Sequence, residues 1–249
     1  MTIDIHTHLG KDRMSITSID RSDLPFLTDQ LIAAMDQHGV DVAVVTPSEP
    51  YVDSEVCIEA AEMSPDRLLW SCSMIPRPID RARTQLRSFV DRGCAGLVMD
   101  QETFHPSDPA ADALAFSASM HGLPIFLHTY ELTPEGASFI DRISAACPEL
   151  QIVVAHMGGI LGVYRLMPYL GRGNIWLDIS STLARLVEPP MRMFLDVLAE
   201  THGFSKLVFG SEHHNEYGNV RGSLNLMKLD IETLRLVTDE NPRRILRLN

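Results

Sequence analysis

The sequence predicts one (β/α)8 barrel domain over residues 1–249, and three observations predict it. Short apolar runs alternate with longer helical patterns from one end of the chain to the other, which implies βαβ units and a parallel sheet. There are eight such pairs, with no composition shift, linker, low-complexity segment or internal repeat beyond that rhythm. A length of 249 residues falls within what a barrel occupies as a single unit. An open doubly wound sheet is the alternative. Such sheets usually carry a Gly-rich phosphate turn after the first strand, and residues 3–10 have none.

Residues 3–9 read as the first strand, and 27–38 as a helix stopped by Gly39. Residues 40–46 form a nearly continuous apolar strand, which suits a parallel sheet covered on both faces. A helix over 53–63, a strand over 67–75 and a helix over 80–91, ending before Gly93, come next. The strand 94–99 leads to a helix over 110–121 that ends at Gly122. The pattern continues with strand 123–129, helix 135–146, strand 151–156, helix 160–170 and strand 174–180. A helix over 189–201, closed by Gly203, precedes the eighth strand at 206–211. Two helical patterns end the chain. The last begins at Asn241-Pro242, where Asn is a good N-cap and Pro a good first helical residue.

A net charge of −12 argues against nucleic acid and anionic membrane surfaces as partners, because both require Lys/Arg patches. Lysine occurs only at positions 11, 206 and 228. Cys57, Cys72, Cys94 and Cys147 show no paired spacing, so the reading is free thiols in a reducing compartment. The chain enters MTIDIHTH with no basic and apolar leader, and no apolar run reaches membrane-spanning length. The expectation is a cytoplasmic protein.

In a barrel of this kind the chemistry lies at the C-terminal ends of the strands. The first strand ends Asp4-Ile5-His6-Thr7-His8, and alternate strand residues face one side, so His6 and His8 point together into the mouth. The fifth strand ends in His128, the sixth in His156, and the eighth in Gly210-Ser211-Glu212. One histidine at a strand end is more often a hydrogen-bonded core or loop residue. Four histidines and a carboxylate on the same rim are a metal-site pattern, since zinc takes imidazole nitrogen and carboxylate oxygen and a catalytic site leaves one position for water. His38, His105, His121 and His202 fall at helix ends or in a loop and read as surface or capping residues. His214 either supplements the site or belongs to the following loop, the latter being the better reading.

These residues carry a resemblance. IDIHTH, GLPIFLHT, VVAHMGG and FGSE resemble strand motifs of the amidohydrolase superfamily, in its amidohydrolase-related (amidohydrolase 2) branch. Asp36 to Asp41, Ser64-Pro65-Asp66-Arg67 and the closing Asp239 to Leu246 resemble its connecting segments, so the match covers essentially the whole chain. The resemblance implies a metallo-dependent hydrolase barrel in which His6, His8 and His128 bind the metal and His156 touches the substrate or the water on the metal. The family's last residue is an Asp on strand eight, both ligand and base. This chain has Glu212 there. A catalytic group displaced by about 1 Å can lose on the order of a hundredfold in rate. Glu is nonetheless a competent ligand and base, and a small backbone retreat or another rotamer restores the reach. Binuclear relatives use a modified lysine on strand four. None stands at 95–100 here, so one divalent ion, zinc first, is expected, with Asp100 and Glu102 as loop carboxylates.

Asp178 either lines the pocket or orients a histidine N–H. Arg13, Arg77 and Arg185 follow strands one, three and seven and either grip an anionic substrate or make surface salt bridges, while Tyr130 and Glu131 stand beside His128. The expected activity is hydrolysis of a small carboxylated ester, lactone or amide through a metal-activated water, with Glu212 as base and His156 as oxyanion stabiliser. Nonoxidative decarboxylation of an aromatic or unsaturated acid is the alternative. A catalytically silent barrel that binds a ligand or partner is the third reading. The resemblance also implies a homo-oligomer, a dimer.

Overall fold

The computed structural model describes residues 1–10, 19–48 and 52–248. Among these, the strands in chain order are β1 (Ile3–His8), β2 (Val42–Val45), β3 (Leu68–Trp70), β4 (Cys72–Ser73), β5 (Leu97–Asp100), β6 (Ile125–His128), β7 (Ile152–Val154), β8 (Ile175–Asp178), β9 (Leu207–Val208) and β10 (Glu212–His213). All pairings between them are parallel. One sheet runs β10-β1-β2-β3 and the other β4-β5-β6-β7-β8-β9. Only Ser71 separates β3 from β4, and residues 209–211 separate β9 from β10, so the strands fill the eight positions of a (β/α)8 barrel. Helices such as Leu24–His38, Ile79–Asp91, Pro109–Met120 and Pro134–Ala146 occupy the crossovers.

Two apolar layers follow from strand alternation. Ile3, Ile5, Val98, Phe126, Val153, Trp176 and Val208, one or two from each of six strands, cluster with Ile245 inside the barrel. Residues on the opposite strand faces, among them Ala43, Val45, Leu97, Met99 and Leu127, pack outward on Leu31, Leu86, Leu114 and Ile140 of the helices. The strands are therefore buried on both faces, as their unbroken apolar composition requires.

β1 breaks the alternation. It pairs Ile3 with Val42, Asp4 with Ala43 and Thr7 with Val45, so three residue steps on β1 match two on β2. The extra residue is a β-bulge, which re-aims the side chains beyond it. Ile3 and Ile5 fill the barrel floor, and the bulge then turns His6 and His8 inward as well. The amide of His6 donates to its own neighbour's carboxylate, Asp4 Oδ1, at 3.0 Å. Asp4 also accepts from Ser211 N at 3.1 Å and Ser211 Oγ at 2.6 Å, which ties the bulge to the strand across the barrel seam.

Several elements differ from the sequence expectation. The strand predicted over 67–75 is interrupted at Ser71, and the eighth breaks before Glu212. The predicted helix 189–201 is Arg192–His202, and a short helix that the sequence did not announce, Leu183–Leu186, precedes it. Asn241 is not an N-cap, because helical backbone runs through it from Ile231 to Leu246. Its side-chain amide instead donates to Ser205 O at 3.0 Å and Leu207 O at 2.9 Å, closing the last helix onto β9. Gly39 does end its helix in left-handed conformation, φ 60. Cys57, Cys72 and Cys94 are buried free thiols and Cys147 is half-buried. Among the described residues no helix is long and apolar enough to cross a membrane.

Replacing Asn241 with Ala strips two carbonyls, one of them buried, of a donor. Chemical denaturation is expected to show a loss of about 1–3 kcal/mol with unchanged m-value. A variant as stable as the parent would show that these carbonyls find other partners.

Candidate metal centre

His6 and His8 at the end of β1, His128 at the end of β6 and Glu212 at the start of β10 offer ligand atoms that all lie within 4.8 Å of one another. His156 stands beside them, with Nε2 3.2 Å from His128 Nε2 and 3.2 Å from a Glu212 carboxylate oxygen. His6, His8, His156 and Glu212 are buried. The sequence-predicted set therefore converges, and the bulge in β1 is what lets two of its members do so.

The far side of each imidazole is anchored. His6 Nδ1 donates to Asp178 Oδ2 at 2.7 Å, and His8 Nδ1 to the Thr46 carbonyl at 2.8 Å. His156 Nδ1 lies 2.9 Å from Ser180 Oγ, whose own proton goes to Asp178 Oδ2 at 2.7 Å, so Ser180 accepts from His156. His128 Nδ1 is 3.4 Å from Asp100 Oδ2. Protons held at Nδ1 leave Nε2 lone pairs facing the centre, the arrangement by which outer hydrogen bonds orient metal-binding imidazoles.

Those lone pairs are close. His6 and His8 bring Nε2 atoms to 3.1 Å. Two nitrogens each ~2.0–2.1 Å from one tetrahedral ion stand roughly 3.3 Å apart. A buried cluster of ring nitrogens and a carboxylate at this spacing has room for a positive charge, either a proton on His6 shared with His8 or a cation in its place, and the electrostatics favour positive charge there. Burial opposes charge on His6. The hydrogen bond and charge of Asp178, with Glu212 and Asp4, outweigh it and lift that imidazole to about 9. Burial, then the charge of His6, drives His8 well below its usual range, and burial does the same to His156. Burial also pushes Asp4 up to about 7 against its hydrogen bonds from Ser211 and His6. The residues present thus fit a divalent ion held by His6, His8, His128 and Glu212. A second grouping, His6, His156 and Asp178, is equally compact. Its carboxylate is already taken up by His6 Nδ1 and by the hydroxyl and amide of Ser180, so the first set is the better donor set.

The backbone is unusual at this rim. His156, Met157, Ser181 and Glu212 all have positive φ, 56, 55, 56 and 71 respectively, a conformation that costs a non-glycine residue about 1–3 kcal/mol and tends to persist at functional sites. Gly210 is required for a different reason. A Cβ there would run into the Asp178 carboxylate.

The other sequence candidates are dispersed. Tyr130 stacks on His156, centroids 5.8 Å apart at 14°, and meets His128 edge-on at 5.5 Å, so it covers one side of the centre. Glu131 turns away to Arg165 and the Leu161 amide. Arg77 is engaged with Asp108 through both guanidinium arms, at 2.5 and 2.7 Å, beside the cavity that β4 borders. Arg13 lies outside the described residues. Asp178, an expected pocket residue or histidine partner, is fully buried against His6. His213 reaches Gly10 O at 3.1 Å, and His214 opens a 3-10 turn after β10, where burial lowers its imidazole to about 4. Sequence reasoning missed Thr46, Ser211 and Asp4 as supports. Only Asp4 carried a signal, as the acidic residue two before His6.

The Amidohydrolase family model matches residues 3–248. The chain belongs to the amidohydrolase family. The search of curated proteins finds no match. Solved structures share its fold at low identity. One is a probable 2-pyrone-4,6-dicarboxylic acid hydrolase from Acinetobacter baumannii with citric acid bound, at 16% identity, TM-score 0.74 and 99% coverage of each chain. A 2,6-dihydroxybenzoate decarboxylase from Rhizobium is similar at 16% identity and TM-score 0.73, covering 99% of this amidohydrolase and 98% of that chain. A 5-carboxyvanillate decarboxylase from Novosphingobium aromaticivorans, complexed with manganese and a nitrobenzoic acid, matches at 16% identity and TM-score 0.71 over 100% and 96%.

Metal analysis of this amidohydrolase, after reconstitution with zinc or manganese, is expected to give near one ion per chain. His6→Ala should abolish it and Glu212→Ala should weaken it at least tenfold. Full occupancy in Glu212→Ala would remove that carboxylate from the donor set. Gly210→Ala displaces Asp178 and is expected to weaken metal binding by 10–100-fold, the usual effect of losing an outer partner. Unchanged affinity would show that His6 keeps its orientation without Asp178.

Proposed function

We propose that this amidohydrolase is a metal-dependent hydrolase of a small carboxylated ester, lactone or amide, using one divalent ion per chain, zinc first. The observation that carries the reading is a carboxylate and a neutral imidazole, Glu212 and His156, 3.2 Å apart at the edge of a three-histidine cluster. A divalent ion bound there supplies Lewis acidity, lowering the pKa of water toward neutrality and polarising a carbonyl oxygen.

Glu212 takes the proton of the attacking water and returns it to the leaving group. His156 has a more conditional part than the sequence suggests. With Nδ1–H committed to Ser180, its Nε2 is an acceptor at rest. It donates to a developing oxyanion only when the ring has taken a second proton from solvent before water attacks, a state that the Glu212 carboxylate favours until it accepts the proton of the water. Tyr130, stacked on that ring, limits water on one side.

Nonoxidative decarboxylation is the second reading, favoured by the likeness to two decarboxylases of the same fold. Product analysis separates them. Metal-loaded protein is offered carboxylated lactones and hydroxylated aromatic acids, and both acid release and CO2 are followed. Hydrolysis releases acid without CO2, and His156→Asn is expected to lower kcat by about 10²–10⁴-fold with metal content unchanged. CO2 release transfers the assignment to the lyase reading. Failure to hold any metal leaves a silent binding barrel.

A further inference from the structure

The floor of the barrel, at the end of the strands opposite the histidine cluster, holds two cations on one ring. Trp176, near the start of β8, is 2% exposed and donates its indole N–H to Gln151 Oε1 at 2.8 Å. Lys206, the residue before β9, brings Nζ to 4.8 Å from the ring centroid. Arg244, in the helix Asn241–Leu246, brings its guanidinium carbon to 5.4 Å from the same centroid. The electron-rich face of an indole attracts each cation. It also gathers two like charges, and neither makes an ion pair among the described residues.

Acids on the neighbouring segments are already committed. Asp141 pairs with Arg172, Glu240 with Arg235, and Asp239 with Arg243, the residue beside Arg244. In a chain of net charge −12, two adjacent cations without a carboxylate do not reflect a shortage of acids. Donors are left over as well. An ammonium has three N–H groups, and Lys206 gives one of them to the Arg172 carbonyl at 3.0 Å. None of the five guanidinium N–H groups of Arg244 meets a protein acceptor among the described residues. Burial, and then the charge of Arg244, pulls Lys206 below its ordinary range, the direction expected of a cation that lacks a counterion.

We propose that Lys206 and Arg244 form a receptor at the barrel floor for a small dianion, a phosphate group either free or at the end of a monoester. Two charges call for a dianion, since a carboxylate neutralises one cation and leaves the other. A phosphate also presents several oxygens, so the point charge of Lys206 and the planar fork of Arg244 can be served at once. Lys206 is half-buried and fixed by the Arg172 carbonyl, while Arg244 is exposed and closes onto the ligand. The bound anion would join the entry to β9 to the last helix of the chain, so its binding stabilises the fold. The receptor is independent of the reaction assigned to the histidine cluster.

The test uses the metal-loaded full chain with Trp70→Phe, which leaves Trp176 as the sole tryptophan. Emission is followed while inorganic phosphate replaces chloride at constant ionic strength and neutral pH, where a phosphate monoester carries roughly 1.5–2 negative charges. A saturable change in Trp176 emission is expected, with a rise in the thermal midpoint of the unsubstituted chain that follows phosphate concentration. Lys206→Met and Arg244→Gln should each weaken binding by about tenfold or more, and Arg244→Lys should recover part of the loss. Acetate should give no saturable change. His6→Ala, expected to take up no metal, should respond as the parent does, which separates this receptor from phosphate held at the metal centre. Methyl phosphate distinguishes the sources. A response equal to that of inorganic phosphate means that monoesters are received, and a response to inorganic phosphate alone restricts the receptor to the free ion. A change that does not saturate, that acetate reproduces, that His6→Ala abolishes, or that survives in both Lys206→Met and Arg244→Gln overturns the receptor.

Discussion

The centre depends on one extra residue in β1. In a regular strand Ile3, Ile5 and Thr7 would share a face and His6 and His8 would share the other. The barrel needs Ile3 and Ile5 on its floor and the two imidazoles at its mouth, and both sets face inward only because the pairing slips between Asp4 and Thr7. A bulge leaves an amide without a ladder partner, and a buried amide without a partner costs about 1–3 kcal/mol. Asp4 removes that cost by accepting from His6 N, and the same carboxylate holds Ser211, the residue before Glu212. One side chain thus stabilises the irregularity that aims two candidate ligands and fixes the strand that bears the fourth.

A second dependency lies on the other side of His6. Asp178 receives His6 directly and His156 through Ser180, so the ring orientations of two histidines from different strands share one buried carboxylate. That carboxylate sits against Gly210 with no room for a side chain between them. The Gly before Ser211-Glu212 is therefore explained by what β8 carries. The supports are buried polar groups with their hydrogen bonds made within the protein, which is the condition under which such a network rigidifies a site.

The barrel was legible in the sequence because its signal is repetitive. Strands covered on both faces give unbroken apolar runs, and a stop such as Gly39 marks a helix end with a backbone only glycine adopts easily. The histidines were legible because each ends or closely follows a strand of the rim. The bulge was not, since period-two reasoning reaches the right answer for His6 and His8 by assigning the isoleucines to the wrong face. Asn241 was misread because Asn-Pro is a start signal wherever the preceding chain is not already helical, and here it is. Arg77 was singled out by chain position, but ion pairing is settled in three dimensions: Asp108 lies thirty-one residues away.

Glu212 stands where the family has Asp, and the backbone around it bears on what that exchange means. Its extra methylene carries the carboxylate further from the strand, and although Glu212 pairs with Thr7 at the start of β10 its φ is 71. An L-residue with a long side chain gains nothing locally there. The conformation is held from both sides. Ser211 is tied to His6 O and Asp4, and His213 to Gly10 O. Asp4, Ser211 and Gly210 thus secure a strained residue whose side chain ends 3.2 Å from His156 and 3.6 Å from His6. Held so, the backbone delivers the carboxylate of the longer side chain into the histidine cluster, the placement that the proposed roles of ligand and base require of it.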